Sequence, residues 1–146
     1  MSGVVKRSVF LASWLVTLGW TVLLAYLLLK PGTAAHAGGS FSDAFFRSDF
    51  SRTDMIEAVA HVVMFGALTL LWGWTLAFHY PARYAAAMTV MIAVLMGTAT
   101  EFGQYFVARG ALLLDLAANF VGIALSAVAL RLFAVSVSKN GLNDRS

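Results

Sequence analysis

Four long apolar stretches, separated by short polar segments, dominate the pattern of this chain. They cover approximately residues 8–29, 55–78, 82–106 and 111–135. Each is long enough to cross a hydrocarbon core as a helix, which takes about 20 residues. Pro81 stands at the expected first turn of the third helix, where its missing N–H costs nothing. The pattern therefore predicts an all-α, polytopic membrane protein with four transmembrane helices, forming one domain over residues 1–146.

Composition agrees with a membrane protein. The sequence is 60% hydrophobic and 12% charged, with a mean hydropathy of +0.81, which lies outside the range of soluble domains. Cysteine is absent, so disulfides and thiolate chemistry are excluded. A net charge of +3 would suggest nucleic acid if the basic residues clustered, but they lie at the ends of the apolar stretches. Membrane lipids are therefore expected partners, and nucleic acid is not.

The basic residues also predict an orientation, because cytoplasmic loops carry an excess of Lys and Arg. If the N-terminus is inside, the cytoplasmic flanks hold Lys6, Arg7, Arg83, Lys139 and Arg145, and the outer side holds Lys30, Arg47, Arg52 and Arg109. This modest bias suits an even number of spans. We expect a multi-pass protein of the cytoplasmic (inner) membrane with both termini in the cytoplasm.

The first helix is followed by a sequence that resembles a signal-peptidase site, Ala35-His36-Ala37. However, the apolar run before it is longer than the roughly 7–15 residues of a signal-peptide core. Retention of the first helix is therefore favoured over cleavage after Ala37.

The only long connection, at about residues 31–53, is expected on the outer side. Its second half, residues 41–50, places four Phe on one helical face, and Ser40 with Asp43 has the spacing of a capping box. This pattern predicts a short interfacial helix on the outer leaflet. The alternative is an ordinary loop with scattered Phe.

Polar residues within the predicted spans converge on one membrane face. The second helix enters from outside, the third ends outside and the fourth begins outside, so their polar residues lie at one depth beneath the outer surface. Nothing comparable occurs at the inner ends. Intramembrane ionisable groups are a functional-site hypothesis by default. We therefore predict a ligand-binding cluster of Glu57, His61, Glu101, Gln104, Arg109, Asp115 and Asn119.

Each of these residues also has a structural explanation. Glu57 could complete a capping box with Asp54. Glu101 and Arg109 could form an ion pair that closes the short connection between helices three and four. Asn119 could hydrogen-bond between helices, and the small residues that continue its stripe, Gly122 and Ser126, favour close helix packing. Singly, each residue is better explained structurally, but their convergence favours function.

The same residues resemble the VanZ-like family of small bacterial membrane proteins. The matching motifs are Glu101-Phe-Gly-Gln104, Arg109 and Asp115-Leu-Ala-Ala-Asn119-Phe-Val-Gly122. His61 matches the family's earlier Asp-Lys-x-x-His, but Glu57 replaces the Asp and Ala58 replaces the Lys. The resemblance covers roughly residues 54–130. It implies a cell-envelope role. Because the family's named member is associated with teicoplanin resistance, antibiotic resistance follows only by analogy.

The favoured function is to bind or modify an outer-leaflet or periplasm-facing component through this cluster. A lipid-linked precursor, a polar headgroup or a glycopeptide-type molecule would fit, with Arg109 as the contact for an anion. The first alternative is a structural or assembly partner of a membrane complex, with another membrane protein as its partner. In this case a buried Glu101–Arg109–Asp115 network only holds the four helices together.

The second alternative is an intramembrane hydrolase, with His61, Glu101 and Asp115 as candidate catalytic residues. His61 would be the general base and the two acids would orient it, or all three would be metal ligands. The sequence offers no Cys, no Ser in a recognisable elbow and no HExxH spacing. An enzyme is therefore the least favoured interpretation, and neither a metal nor another cofactor is expected.

Overall fold

A computed structural model of the protein describes residues 3–31, 42, 45–46, 48–107 and 113–143, with side chains described only within residues 7–134. Within these ranges the chain forms four helices and no strand: α1 Gly3–Leu29, α2 Arg52–Leu76, α3 Ala82–Phe106 and α4 Leu113–Asn143. Each contains a segment long and apolar enough to cross a membrane. The prediction of an all-α polytopic membrane protein is confirmed.

The start of α2 differs from the sequence expectation in its cap. Ser51 is the N-cap residue: its hydroxyl accepts a hydrogen bond from the Asp54 amide at 3.2 Å, and the Asp54 carboxylate accepts one from the Ser51 amide at 2.6 Å. This reciprocal capping box satisfies two amides that have no partner within the helix. The box suggested for Asp54 and Glu57 was therefore placed three residues too late, and α2 begins at Arg52 rather than near residue 55.

The helices run up and down. Trp20 near the middle of α1 donates from Nε1 to the Met64 carbonyl, and Trp14, earlier in α1, donates to His79 after the end of α2, so α1 and α2 are antiparallel. We call the end of the bundle where α3 ends and α4 begins the α3–α4 end. The opposite end, where residues 77–81 join α2 to α3, is the α2–α3 end.

Helices α2 and α4 run parallel and make the most extensive contact in the bundle. Gly122 of α4 lies against the Val62 carbonyl and the Gly66 amide of α2, so a Cβ at residue 122 would collide with that backbone. A Cβ at Gly66 would in turn lie 3.2 Å from the Ser126 hydroxyl. The predicted close packing through small residues is confirmed.

Buried residues recur every four positions on the inner face of α3. Its buried positions include Ala85, Thr89, Ala93, Gly97 and Glu101. This row forms one ridge of the kind that packs between neighbouring helices. Its small members allow close approach over most of the helix, and Glu101 continues the ridge into the protein interior near the α3–α4 end.

Several sequence expectations fall outside the described residues. They include cleavage after Ala37 and most of the proposed interfacial helix. Within that segment Ser42 and Phe45 are helical and the Phe46 amide donates to the Ser42 carbonyl at 3.0 Å, whereas residues 48–50 are not helical. Arg109, central to the sequence-based site, also lies outside the described residues.

Candidate functional site

Three helices each contribute one polar side chain to a hydrogen-bonded group near the α3–α4 end. His61 of α2 places Nδ1 at 2.9 Å from Oδ1 of Asn119 in α4. Asn119 donates from Nδ2 to Oε1 of Glu101 in α3 at 3.1 Å. The same Glu101 oxygen lies 3.3 Å from Nδ1 of His61. We call these three residues the polar core.

The polar core is closed to its surroundings. The exposed fractions are 3% for His61, 1% for Glu101 and 0% for Asn119. Asp115 and Gln104 beside it are 2% and 3% exposed, and Asp115 lies within electrostatic range of both His61 and Glu101. Buried polar groups need partners. The hydrogen bonds between helices provide them for Asn119 and for Nδ1 of His61.

Glycine and phenylalanine shape the space for Asn119. A Cβ at Gly97 would lie 3.4 Å from the Asn119 Cβ and 3.4 Å from the Phe65 ring, so α3 packs against both side chains at this residue. Asn119 Nδ2 also approaches the Gly97 carbonyl at 3.5 Å. Phe65, one turn from His61 on α2, stacks on the imidazole with centroids 6.4 Å apart. These contacts fix the position of both rings and of the amide.

The crossing of α2 and α4 brings His61 and Asn119 together. Gly122 meets Val62, the residue after His61, and Asn119 lies one turn before Gly122 on α4. Residues one turn apart share a helix face. The backbone contact at Gly122 therefore sets the distance across which His61 and Asn119 bond.

Two carboxylate oxygens at this site are buried without a hydrogen-bond partner among the described residues. They are Oε2 of Glu101 and Oδ1 of Asp115. An unsatisfied buried acceptor costs about 1–3 kcal/mol, and more if it is charged. A proton, a water molecule, a ligand group or a donor from residues 108–112 would each satisfy these atoms. The described part of the site therefore has more hydrogen-bond acceptors than donors.

The residues predicted to form the site divide into four sets. His61, Glu101 and Asn119 bond to one another, and Gln104 and Asp115 are buried at the same end of the bundle. Glu57 is exposed one turn from His61, so it is outside the hydrogen-bonded group although it lies within electrostatic range of Asp115. Arg109 is outside the described residues. Among the residues that are described, no three His, Asp or Glu side chains are arranged to hold a metal ion.

A second polar group, at the contact of α1 and α2, was missed by sequence reasoning. Thr17 Oγ1 lies 2.8 Å from Thr75 Oγ1, and Thr75 reaches the Ser13 carbonyl at 3.3 Å. Ser13, Thr17 and Thr75 are completely buried. We call these three residues, together with Thr21, the hydroxyl seam. The four-residue spacing of its α1 members was the available signal. Because neutral hydroxyls barely lower the hydropathy of a span, this spacing does not stand out in the sequence.

The sequence matches no protein-family model, and no curated protein or solved structure is significantly similar to it. The resemblance to the VanZ-like family, which depends on the motifs around Glu101 and Asp115, therefore stays a prediction.

Proposed function

We propose that this protein is a VanZ-like component of the cell envelope that binds the polar headgroup of an outer-leaflet or periplasm-facing molecule at the α3–α4 end. The observation that carries the proposal is the pair of orphaned acceptors, Glu101 Oε2 and Asp115 Oδ1. Hydroxyl or ammonium groups of a headgroup would donate hydrogen bonds to these oxygens. Such bonds to charged acceptors are about twice as strong as neutral ones.

A lipid-linked sugar or a glycopeptide-type molecule fits this chemistry better than an apolar lipid. Sugar hydroxyls supply the donors that the buried carboxylates lack. Arg109, three residues after the last residue of α3 in the sequence, would supply the cation for a phosphate. The ligand would thus be recognised by acceptors within the helices and a guanidinium in the connection.

The proposal includes an orientation. With the α3–α4 end facing outward, Arg7 near the start of α1 and Arg83 at the start of α3 lie on the cytoplasmic side. A ligand of the outer leaflet would then approach the α3–α4 end without crossing the bilayer. Reporter fusions at residues 81–83 and at the C-terminus should both report a cytoplasmic location. An outward C-terminus would contradict the model.

Native mass spectrometry of the purified full chain tests ligand binding. We expect wild-type protein to retain a glycolipid or polyprenyl-phosphate species. Asp115→Leu should reduce the retained species by about ten-fold, corresponding to about 1.4 kcal/mol, because it removes an orphaned acceptor. Asp49→Leu is the matched control, since Asp49 is exposed in the segment before α2, and it should retain the ligand.

Arg109→Ala and Arg47→Ala form a second matched pair, chosen from the sequence. Loss of a phosphate-bearing ligand in Arg109→Ala alone supports the anion contact. No retained ligand in wild-type protein, equal retention by all variants, or a trapped covalent adduct would each contradict non-covalent headgroup binding.

A structural role is the second candidate, and the closed polar core favours it. His61, Glu101 and Asn119 bond across three helices and are almost completely buried. Such a group could hold the bundle together as part of a membrane complex without contacting a ligand. Substituting Asp115 and Glu101 while measuring both accumulation and an envelope-stress phenotype separates the two functions. Normal accumulation with a lost phenotype excludes the purely structural role, whereas disappearance of the protein supports it.

A further inference from the structure

The hydrogen bonds of the polar core determine the tautomer of His61. Because Asn119 donates from Nδ2 to Glu101, its Oδ1 is the atom that faces His61 Nδ1 at 2.9 Å. The second neighbour of Nδ1 is Glu101 Oε1 at 3.3 Å, also an acceptor. An imidazole nitrogen between two acceptors carries a hydrogen. Nδ1 is therefore the donor, and in the neutral ring Nε2 holds the lone pair.

We propose that Nε2 of His61 is a proton-binding site inside the membrane-spanning part of the protein, with Glu101 and Asn119 as its positioning residues. Uptake forms one N–H bond at Nε2. Hydronium donates the proton and leaves as water, so no further reactant is needed. This site does not depend on headgroup binding, because it uses the imidazole and the hydrogen bonds within the polar core only.

The charges around His61 favour uptake. Glu101 of α3 lies in direct contact, Asp115 of α4 is within electrostatic range, and Glu57 and Asp54 are nearer the start of α2 itself. Helix α1 presents Leu24 and Leu28 to the core. With a neutral imidazole, ionised Glu101 and Asp115 would place two negative charges in a buried site. A proton on His61 reduces that buried charge to one, which lowers the cost of desolvation.

The fixed geometry distinguishes His61 from an ordinary buried histidine. A buried histidine with both ring nitrogens bonded to the backbone would have no atom left for a proton. Here Nδ1 is engaged by two side chains from other helices, and the described hydrogen bonds leave Nε2 unused. The orphaned oxygens Glu101 Oε2 and Asp115 Oδ1 are the competing acceptors, so the test has to locate the proton as well as detect it.

Nitrogen-15 NMR of the full chain in phosphatidylcholine nanodiscs, with labelled histidine, measures both nitrogens of each ring. The resonances of His61 are identified by their loss in His61→Gln. We expect the neutral ring to carry hydrogen on Nδ1 and, on acidification from about pH 8 to pH 5, to gain hydrogen on Nε2. A neutral ring protonated on Nε2 would overturn the proposal. So would a His61 ring that stays neutral while infrared spectra show a carboxyl group taking the proton.

Two matched variants test the positioning role. Glu101→Gln keeps the size and an acceptor oxygen but removes the charge, and should move the midpoint of the His61 titration to lower pH by about 1 unit or more. Glu57→Gln removes an exposed charge one turn from His61 and should leave the midpoint almost unchanged. An equal shift in both variants, or none in a folded Glu101→Gln protein, would overturn the assignment of Glu101. If Glu101→Gln does not accumulate, the tautomer and titration of the wild-type ring decide the proposal.

Discussion

The polar core and the hydroxyl seam both join helices through buried polar side chains, but they differ in what happens when a partner is lost. In the seam, hydroxyls can turn to their own helix: Ser13 donates to the Phe10 carbonyl and Thr21 to the Thr17 carbonyl, each at 2.8 Å. In the polar core the partners of His61 and Asn119 come from other helices. A hydroxyl within an α-helix has a local substitute acceptor, whereas an imidazole or a carboxylate does not.

Burial alone does not determine how much a polar residue contributes to stability. Thr17 and Asn119 are both 0% exposed. The expected cost of substitution nevertheless differs. A hydroxyl of the seam that loses a contact can bond to a carbonyl of its own helix, whereas loss of Asn119 takes one hydrogen bond from each of the two ionisable groups of the polar core. The seam therefore adjusts how α1 packs on α2, and the polar core sets how α2, α3 and α4 meet.

The largest expected effect is that of Asn119→Leu. Leucine keeps the branching at Cγ but is larger and has no hydrogen-bonding group, so His61 and Glu101 lose their common partner while keeping their contact with each other. We expect destabilisation of about 3 kcal/mol, because two buried hydrogen bonds are lost and one of them is to a carboxylate. Thermal unfolding of purified protein measures it, with Thr17→Val as the seam counterpart. Equal loss of stability in the two variants would abolish the distinction between the two regions.

Gly122→Ala should have the next largest effect. The added methyl group meets the Val62 carbonyl, which is backbone and cannot rotate away, so we expect overpacking to cost about 1–3 kcal/mol. The separation of α2 and α4 should also lengthen the contact between His61 and Asn119.

Gly19→Ala provides the control for this glycine prediction. A Cβ at Gly19 of α1 has no neighbour within 4 Å, so alanine there should stabilise the helix by roughly 0.5–1 kcal/mol. Opposite signs of the change in unfolding temperature for the two variants are expected. The same sign in both would show that helix propensity, rather than the crossing of α2 and α4, determines the result.

Substitutions in the hydroxyl seam should have smaller effects. Thr17→Val removes both the contact with Thr75 and the 3.2 Å hydrogen bond to the Leu71 carbonyl, and an interhelical hydrogen bond in a membrane protein contributes about 0.6 kcal/mol on average. A double-mutant cycle with Thr75→Val should give a coupling energy of that size. A coupling energy as large as that between His61 and Asn119 would contradict the idea that hydroxyls find substitute acceptors.

The smallest effect is expected at the α2–α3 end. Trp14→Phe keeps an aromatic ring beside Trp72 but removes the 3.0 Å hydrogen bond from Nε1 to His79. Because His79 is exposed, water can replace the donor, and the free energy of unfolding should change by less than about 0.5 kcal/mol. Chemical or thermal unfolding measures the change. A loss above 1 kcal/mol, on the order of a fully buried hydrogen bond, would instead show that water does not replace the Trp14 donor.

The sequence by itself determined the helices, their approximate limits and the end of each helix at which its charged residues lie. Hydropathy locates a span because a bilayer requires about 20 apolar residues. Helical spacing then shows that Asp115, Asn119 and Gly122 share one face of α4. The same reasoning placed Glu101 near the end of α3, opposite the start of α4. These properties are local, so they could be obtained without knowing how the helices pack.

Only the tertiary structure decided which polar residues meet. Glu57 and His61 have the helical spacing of neighbours, yet Glu57 is exposed and His61 is buried, because α2 reaches the bundle interior only beyond its first turn and a half. The approach of Gly122 to Val62 selects Asn119 as the partner of His61, and Gly97 packs against the Asn119 side chain. A sequence specifies the faces of each helix, but the rotation of one helix against another depends on packing between residues far apart in the chain.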